Sequence, residues 1–387
     1  MNPSNMRKIR VMRVIARMNV GGPAVQITGL MKNFDETRFD QLLVTGFCEN
    51  DESDYLENVA QDVSATRIPG LGRRISLLDD IRVLISLVKL IREFKPDIIH
   101  THTAKAGFLG RVASLISVHQ SIRVHTFHGH LLYGYFGPFK RSLVILIEKI
   151  LGFMTHSLLA VGGNVRHELL EVGIGTPNKF EVMSPGLGLK SLPEKEFSKT
   201  SLGLDPRQLQ CAYIGRVTQI KRPDRFLDVV AISQQRGLPI HFFIAGDGNL
   251  LKVSEERIKE NKMPVKVLGW QNDIEQVLSA ADIVILTSDN EGTPLSLIQA
   301  GMAGLPVITT NVGSISDIVL NNSTGLITSK NPIDIADALE ILASDEGLRL
   351  QMGVRARAFT KSHFGVARLV ADHQNLYTKL ITSRAKF

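Results

Sequence analysis

The sequence predicts an α/β protein of two doubly wound domains, each a parallel sheet with helices on its faces, which face each other across a cleft. Short β-branched apolar runs alternate with segments of helical period along the chain, and this alternation is typical of βαβ units. It stops once, at a stretch rich in glycine and proline over residues 183–209, and then resumes. The 387 residues are enough for two such domains.

The first domain is predicted to span residues 1–190. The segment 79–94 carries apolar residues at i, i+3, i+4 and i+7, which predicts a helix, and Lys95-Pro96 ends it before the next strand. A second helix is predicted over residues 142–152. The strands predicted for this domain are 9–16, 41–46, 97–102, 123–127 and 157–161.

The second domain is predicted to span residues 191–366, after the glycine- and proline-rich stretch that we interpret as a linker. Doubly wound sheets bind their ligands outside the carboxyl ends of the strands. We therefore expect the functional residues in the loops that follow strands. The strands predicted for this domain are 211–214, 241–244, 265–268, 283–286 and 307–309.

Cysteine usage and apolar run lengths indicate a cytoplasmic protein. Cys48 and Cys211 are the only two cysteines, which excludes a disulfide scaffold and favours a reducing compartment. The first apolar stretch is interrupted by Arg13 and Arg17, unlike a signal peptide. The most apolar run, 143–147, is too short to cross a bilayer.

The positive charge is concentrated in the first half of the chain. Residues 64–190 contain 16 Lys and Arg against 8 Asp and Glu, a net charge of +8 in a chain whose total is +7. This predicts a basic face and a polyanionic partner. Nucleic acid is not expected, because it would not explain the acidic, glycine-rich loop 289–293.

Two loops after predicted strands have features of anion sites. Gly21 and Gly22 come directly before a helix that begins with a proline; glycines allow a ligand to approach closely, although a tight turn alone also needs them. The loop that starts at Gly215 brings Arg216, Lys221 and a further arginine to a helix start. Cations are unfavourable at the positive end of a helix unless an anion such as a diphosphate binds there.

A third loop joins an acidic turn to a helix. Glu291 precedes the helix start at Pro294, and Gln299 lies in the helix eight residues after Glu291. Acidic residues at such positions are also common helix caps, so Glu291 by itself supports either a structural or a ligand-binding role.

Histidines and aromatic residues are concentrated after the middle strands of the first domain. His128 and five other histidines lie between residues 100 and 130, without the Glu or Cys that would accompany a metal site, so no metal is expected and at least one histidine is expected to line the cleft. Tyr133, Lys140 and Arg141 belong to an aromatic and basic loop. Such a loop suits either a membrane headgroup layer or ordinary packing over a core.

Taken together, the motifs resemble the retaining glycosyltransferases of family 4, whose GT-B fold consists of two Rossmann-like domains. The resemblance extends over nearly the whole chain. It is carried by Gly21-Gly22, by the Gly-Arg…Lys segment 215–221, and by the segment 291–307, which reads EGTPLSLIQAGMAGLPV. It also implies that a helix at about 367–387 packs back on the first domain.

The resemblance implies a role for each matching residue. Arg216 and Lys221 would hold the donor diphosphate, Glu291 would bind the donor sugar, and His128 would lie near the transferred sugar. The first domain would bind the acceptor and the second the donor. The other residues implied at the donor site are Gly22, Gly215, Gly292, Thr293, Pro294, Leu295 and Gln299. Those implied at the acceptor or the membrane are Gly21, Tyr133, Lys140 and Arg141.

Gln299 departs from the family pattern, which has a second glutamate at this position for the ribose hydroxyls. A glutamine keeps one acceptor, so we expect ribose binding to weaken by about 1–2 kcal/mol.

The implied reaction is metal- and cofactor-free transfer of a sugar, with retention, from a nucleotide diphosphate sugar, UDP-linked by preference. The acceptor would be lipid-linked or a saccharide, with a saccharide on polyprenyl diphosphate or another lipid expected first, in surface polysaccharide synthesis. The enzyme would be peripheral on the anionic inner face of the cytoplasmic membrane. Two alternatives stay open: a sugar-nucleotide 2-epimerase of the same fold, and a non-catalytic sugar-nucleotide-binding relative.

Overall fold

The computed structural model describes residues 7–50, 52–129 and 138–384, with the backbone alone for 138–140. The chain divides into two compact units. Unit 1 extends to Leu187 and resumes at Val366, and unit 2 is Gly188–Gly365. The predicted divisions, 190/191 and 366/367, lie within three residues of these positions.

Unit 1 is built on a parallel sheet. Within the described residues it has seven strands in the order β3-β2-β1-β4-β5-β6-β7, and every neighbouring pair is parallel. The strands are β1 (Ile9–Ile15), β2 (Phe39–Thr45), β3 (Thr66–Arg67), β4 (Ile98–His102), β5 (Ile122–Phe127), β6 (Ser157–Ala160) and β7 (Phe180–Val182). The helices between them are α1 (Gly22–Asn33), α2 (Tyr55–Asn58), α3 (Leu77–Phe94), α4 (Ala104–Ile116), α5 (Pro138–Met154) and α6 (Gly163–Glu171).

Unit 2 repeats this construction with a six-stranded parallel sheet in the order β10-β9-β8-β11-β12-β13. Its strands are β8 (Leu209–Ile214), β9 (Ile240–Ala245), β10 (Val265–Gly269), β11 (Ile283–Leu286), β12 (Val307–Thr310) and β13 (Gly325–Thr328). Its helices are α7 (Lys195–Ser201), α8 (Pro223–Gln235), α9 (Leu251–Glu260), α10 (Ile274–Ala280), α11 (Leu295–Ala303), α12 (Pro332–Ser344) and α13 (Glu346–Phe364).

The last helix, α14 (Val366–Arg384), belongs to unit 1. Its Leu369 and Tyr377 are fully buried and share a core cluster with Phe34, directly after α1, and Phe39 of β2. Burying side chains of this size from a distant segment stabilises the fold by about 2 kcal/mol each.

The predicted fold class is confirmed, and so is each predicted strand, within two residues at either end. The prediction of a linker over 183–209 was wrong in one part, because α7 lies within it. Glu194 caps this short helix, and Lys199 pairs with Asp282 at an Nζ–Oδ2 distance of 2.9 Å. Seven mostly polar residues are too few to show a helical period.

No helix in the described part of the chain is long and apolar enough to cross a bilayer.

Candidate functional site

The carboxyl edge of the unit 2 sheet brings together two loops by direct backbone contact. The Gly215 N–H donates to the Ala245 carbonyl at 3.0 Å, and the Val217 N–H donates to the Asp247 carbonyl at 2.9 Å. Gly246 has φ +150°, and a Cβ at this position would lie 1.9 Å from the Gly215 carbonyl oxygen. Only glycine fits there, so the loop after β9 fixes the backbone of the loop that carries Arg216.

A buried ion pair joins the loop after β8 to the loop after β11. Lys221 Nζ lies 2.5 Å from Glu291 Oε1, and the two side chains are only 16% and 8% exposed. Ser288 Oγ donates to the same carboxylate oxygen at 2.5 Å. Seventy residues separate Lys221 from Glu291 along the chain, so the two predicted catalytic residues meet through the fold alone.

Hydrogen bonds to the backbone hold these two loops together. Thr287 Oγ1 donates to the carbonyls of Lys221, at 3.1 Å, and Arg222, at 2.9 Å. The Asp289 N–H donates to the Ile220 carbonyl at 2.9 Å. These contacts position Lys221 and Glu291 even without a ligand.

Arg216, at the carboxyl edge of the unit 2 sheet, is accessible to a ligand. Its side chain is exposed and has no ion pair among the residues that the structure describes. The Tyr213 hydroxyl, whose pKa is raised by burial, donates to the Arg216 carbonyl at 3.0 Å and holds the backbone in place.

The third predicted cation of this loop, Arg222, has a structural role. It pairs with Asp224 at 2.7 Å and with Asp289 at 3.0 Å, and hydrogen bonds to these carboxylates raise its pKa. The expectation that three cations of this loop await an anion was therefore wrong for Arg222.

Helix α11 begins beside Glu291. Its N-cap is Pro294, and within the described chain no side chain caps it, so the first N–H groups, from Leu295 on, lack a side-chain acceptor. Gly292 and Thr293 are half-buried in the turn before it. Gln299 lies further along the helix, half-buried, and its amide has no hydrogen-bond partner in the described structure.

In unit 1, Gly21 and Gly22 occupy the predicted position between β1 and α1. The backbone at Gly21 is extended, with φ 164°, and α1 begins at Gly22. A Cβ at Gly21 would be 3.9 Å from its nearest described neighbours, an ordinary contact. Local packing of the described residues therefore does not require a glycine at this position.

The predicted histidine His128 follows β5 and contacts a second histidine. His128 Nε2 lies 2.9 Å from His102 Nδ1, so one of these nitrogens donates to the other. Burial lowers the pKa of His128 to about 4 and that of His102 well below its ordinary value. Both imidazoles are therefore neutral near pH 7.

The other histidines of this group have structural partners. His100 contacts the Tyr377 hydroxyl at 2.6 Å and Thr126 at 2.7 Å, and His125 contacts Thr101 at 2.8 Å. No group of three or more potential metal ligands occurs in the described residues. His130 and Tyr133 and the Lys140 side chain lie outside what is described, and Arg141 is half-buried in the first turn of α5.

Sequence reasoning missed Ser288 and Asp289 as parts of this site. Asp289 pairs with Arg222 and also with Arg225, at 2.8 Å, and Ser288 supports Glu291. The signal that was available is their position, directly after a buried strand and ahead of Glu291 in the same turn.

Comparison with known proteins identifies the chain. Residues 194–359 match the model of "Glycosyl transferases group 1" and residues 20–190 that of "Glycosyltransferase Family 4". The chain is 30% identical over 346 residues to an Escherichia coli protein named UDP-Gal:alpha-D-GlcNAc-diphosphoundecaprenol alpha-1,3-galactosyltransferase, covering 86% of this chain and 87% of the relative. It is 25% identical to the Staphylococcus aureus capsular polysaccharide biosynthesis glycosyltransferase CapM, covering 85% and 89%.

Solved structures show the same fold. Anabaena Alr3699/HepE, crystallised in complex with UDP, superposes with a TM-score of 0.81 at 17% identity, covering 96% of this chain and 100% of that one. The apo lipopolysaccharide outer core galactosyltransferase WaaB gives a TM-score of 0.71 at the same identity, with coverages of 96% and 100%.

The two doubly wound parallel units have the GT-B fold, and the family matches make the chain a glycosyltransferase. The chain belongs to glycosyltransferase family 4, and its relatives assign it to glycosyl transfer in surface polysaccharide biosynthesis.

Proposed function

We propose that this enzyme transfers a sugar, with retention at the anomeric carbon and without a metal ion, from a UDP-sugar to a saccharide carried on a lipid diphosphate. The observation that carries the proposal is the buried Lys221–Glu291 pair beside the exposed Arg216. Its E. coli relative is named for a UDP-linked donor and a diphosphoundecaprenol acceptor, and a structural neighbour was crystallised with UDP.

The donor diphosphate binds to Arg216 and Lys221 at the carboxyl edge of unit 2. An ammonium has three N–H donors, so Lys221 keeps its bond to Glu291 while it donates to a phosphate oxygen. Arg216 offers a planar fork that suits phosphate. The uncapped N-terminus of α11 adds N–H groups and a positive dipole end. Together they stabilise the charge that develops on the departing UDP.

Glu291 binds the donor sugar and does not act as the nucleophile. Its Oε1 already accepts hydrogen bonds from Lys221 and Ser288, which lowers its reactivity towards an anomeric carbon. We therefore infer front-side attack by the acceptor hydroxyl, whose proton passes to an oxygen of the leaving phosphate. Gln299 accepts a hydrogen bond from the ribose. His128, being neutral, offers hydrogen bonds to uncharged hydroxyls.

A transfer assay in EDTA tests this proposal, with UDP-sugars and polyprenyl diphosphate saccharides as substrates and the product anomer read by NMR. We expect an α-linked product from an α-linked donor. We expect Arg216→Ala to lower the transfer rate at least about tenfold, whereas Lys259→Ala, which removes an exposed cation of α9, leaves it unchanged. An inverted product or a strict metal requirement would contradict the proposal. Epimerised donor formed without an acceptor would instead establish the epimerase.

We also propose that the enzyme works as a peripheral protein on the membrane that holds its acceptor. This rests on the lipid-linked acceptor of the E. coli relative and on the net charge of +8 over residues 64–190, which favours an anionic surface.

A further inference from the structure

A second cationic site lies in unit 1 at the opposite edge of the sheet from the carboxyl ends. A cavity of about 540 Å³ opens where β5, β6 and β7 begin, bordered by the end of α14. The titratable residues of its lining are Arg123, His156, Lys179 and Arg384, and Phe153 lies at its apolar wall. Nothing in the proposed transfer reaction uses this cavity.

Arg123, Lys179 and Arg384 form no ion pair with an acidic residue in the part of the chain that the structure describes. None of the residues that line it is an Asp or Glu in the described structure. Arg123 Nε donates to the Met154 carbonyl at 2.7 Å, Lys179 Nζ to the Phe153 carbonyl at 2.6 Å, and Arg384 to Gln120 Oε1 at 3.0 Å. Carbonyl oxygens orient these side chains but do not neutralise them, so the cavity keeps a net positive charge.

Burial and neighbouring positive charge lower the pKa values of three groups in this cavity, Arg123, Lys179 and His156. Burial and then the charge of Arg384 lower the pKa of Arg123, and burial and then Arg123 lower that of Lys179. Desolvation at the cavity wall and the three cations lower the pKa of His156 to about 4. A bound anion would relieve this repulsion, and arginine and lysine both suit phosphate oxygens.

Helix α5 leads to this cavity with an apolar face turned to solvent. Leu143, Leu146, Ile150 and Phe153 follow one another at helical spacing and are 50% to 82% exposed. The opposite face of the helix buries Glu148, whose two carboxylate oxygens both accept from Arg111 Nη2 of α4, at 2.8 and 3.0 Å. That buried pair fixes which face of α5 is outside. Exposed apolar side chains that are aligned on one helix face, and not scattered singly over the surface, indicate a contact surface.

Phe153 joins the two features. Its ring forms the end of the exposed stripe and a wall of the cavity, and Lys179 Nζ lies 5.5 Å from its centroid. A helix of 17 residues, roughly 25 Å long, with an exposed apolar stripe and cations at its end, has the pattern of a helix that lies in a membrane interface.

We propose that this face of unit 1 is a bilayer contact: the apolar stripe of α5 lies at the headgroup boundary, and the cavity beside Phe153 receives the phosphate of an acidic phospholipid. The charge of the region favours an acidic phospholipid, because residues 64–190 carry 16 basic against 8 acidic side chains and anionic lipids attract such a surface. The proposal does not depend on the transfer reaction, since it concerns the other edge of unit 1.

Vesicle flotation with the full chain tests the proposal, comparing phosphatidylcholine vesicles with vesicles that also contain phosphatidylglycerol. We expect binding only to the latter. The charge variant Lys179→Gln with Arg384→Gln and the stripe variant Leu146→Gln with Ile150→Gln should each weaken it at least about tenfold. UDP affinity, measured in parallel, should not change, so this test is independent of the donor site.

Matched controls come from unit 2. Lys252→Gln with Lys259→Gln makes the same charge change on α9, and Leu350→Gln with Val354→Gln makes the same apolar change on exposed positions of α13. Both should bind vesicles like the wild type. As a second readout, Phe153→Trp keeps an aromatic ring in the stripe, and its fluorescence should shift to the blue with phosphatidylglycerol vesicles alone.

Three results would overturn the proposal. Vesicle binding that both unit 1 variants retain, with no fluorescence shift for Phe153→Trp, excludes this face as the contact. The wild type could instead fail to bind vesicles and sediment as a dimer, while the stripe variant sediments as a monomer. That result would show that the stripe is an interface between copies of the chain. Tight calorimetric binding of inorganic phosphate, lost in the charge variant while vesicle binding persists, assigns the cavity to a free anion.

Discussion

The two units handle polar side chains at their carboxyl sheet edges in opposite ways. Unit 2 keeps full charges there: Lys221 is paired with Glu291, and Arg216 is exposed. Unit 1 places His102 and His128 at the corresponding ends of β4 and β5, where burial keeps both neutral. Charged groups suit a diphosphate, whereas neutral hydrogen-bonding groups suit sugar hydroxyls, so the same architecture supplies two different kinds of binding surface.

The largest expected effect comes from breaking the buried ion pair of unit 2. Lys221→Met leaves the carboxylate of Glu291, only 8% exposed, without its cation. We expect this to lower the free energy of unfolding by about 3 kcal/mol, measured by urea denaturation. The matched variant Lys221→Met with Glu291→Leu removes both charges and should cost less than the single change. Equal losses for the two variants would show that the pair is not the source of the effect.

The neutral histidines of unit 1 predict a loss of stability in mild acid. The pKa of His128 is about 4 in the folded protein against an ordinary value of 6.5. The unfolded chain therefore binds the proton first as the pH falls, so stability is complete above about pH 6.5 and declines towards pH 4.

Between pH 7 and pH 5 this histidine alone should account for about 2 kcal/mol. Urea denaturation at both pH values, with His128→Gln beside the wild type, measures that share. His363→Gln, at an exposed histidine of α13, serves as the control and should leave the pH dependence unchanged. The same slope for His128→Gln as for the wild type would show that His128 is not held neutral.

A smaller change tests the departure at Gln299. Gln299→Glu introduces a charged acceptor for the ribose hydroxyls, and we expect UDP to bind about 1 kcal/mol more tightly. Calorimetry with 2′,3′-dideoxy-UDP is the control, because it lacks those hydroxyls and should gain nothing. An equal gain for both nucleotides would mean that position 299 acts through general charge and not on the ribose.

The sequence was sufficient for the fold class, because a buried parallel strand is a continuous apolar run that stands out between helical segments. It was insufficient for β3 and β7, which have two and three residues, too few to form a pattern, and it also missed β13. The helix α7 was missed for a related reason: its ends are fixed by a cap and an ion pair rather than by an apolar face.

Part of the candidate site was also visible in advance. Arg216, Lys221 and Glu291 lie in loops that follow strands, as expected. That Lys221 pairs with Glu291, and that Arg222 is held by Asp224 and Asp289, depends on which strands are neighbours in the sheet. Sequence spacing holds no information about that order.

The most direct test of the account is calorimetric titration of UDP, GDP and ADP in EDTA into the wild type, Arg216→Ala and Lys259→Ala. The donor site described here predicts that one of the nucleotides, UDP by preference, binds without metal. Arg216→Ala should weaken that binding at least about tenfold while folding normally, and Lys259→Ala should bind like the wild type. Binding that requires a divalent metal, or that Arg216→Ala leaves intact, would contradict the account.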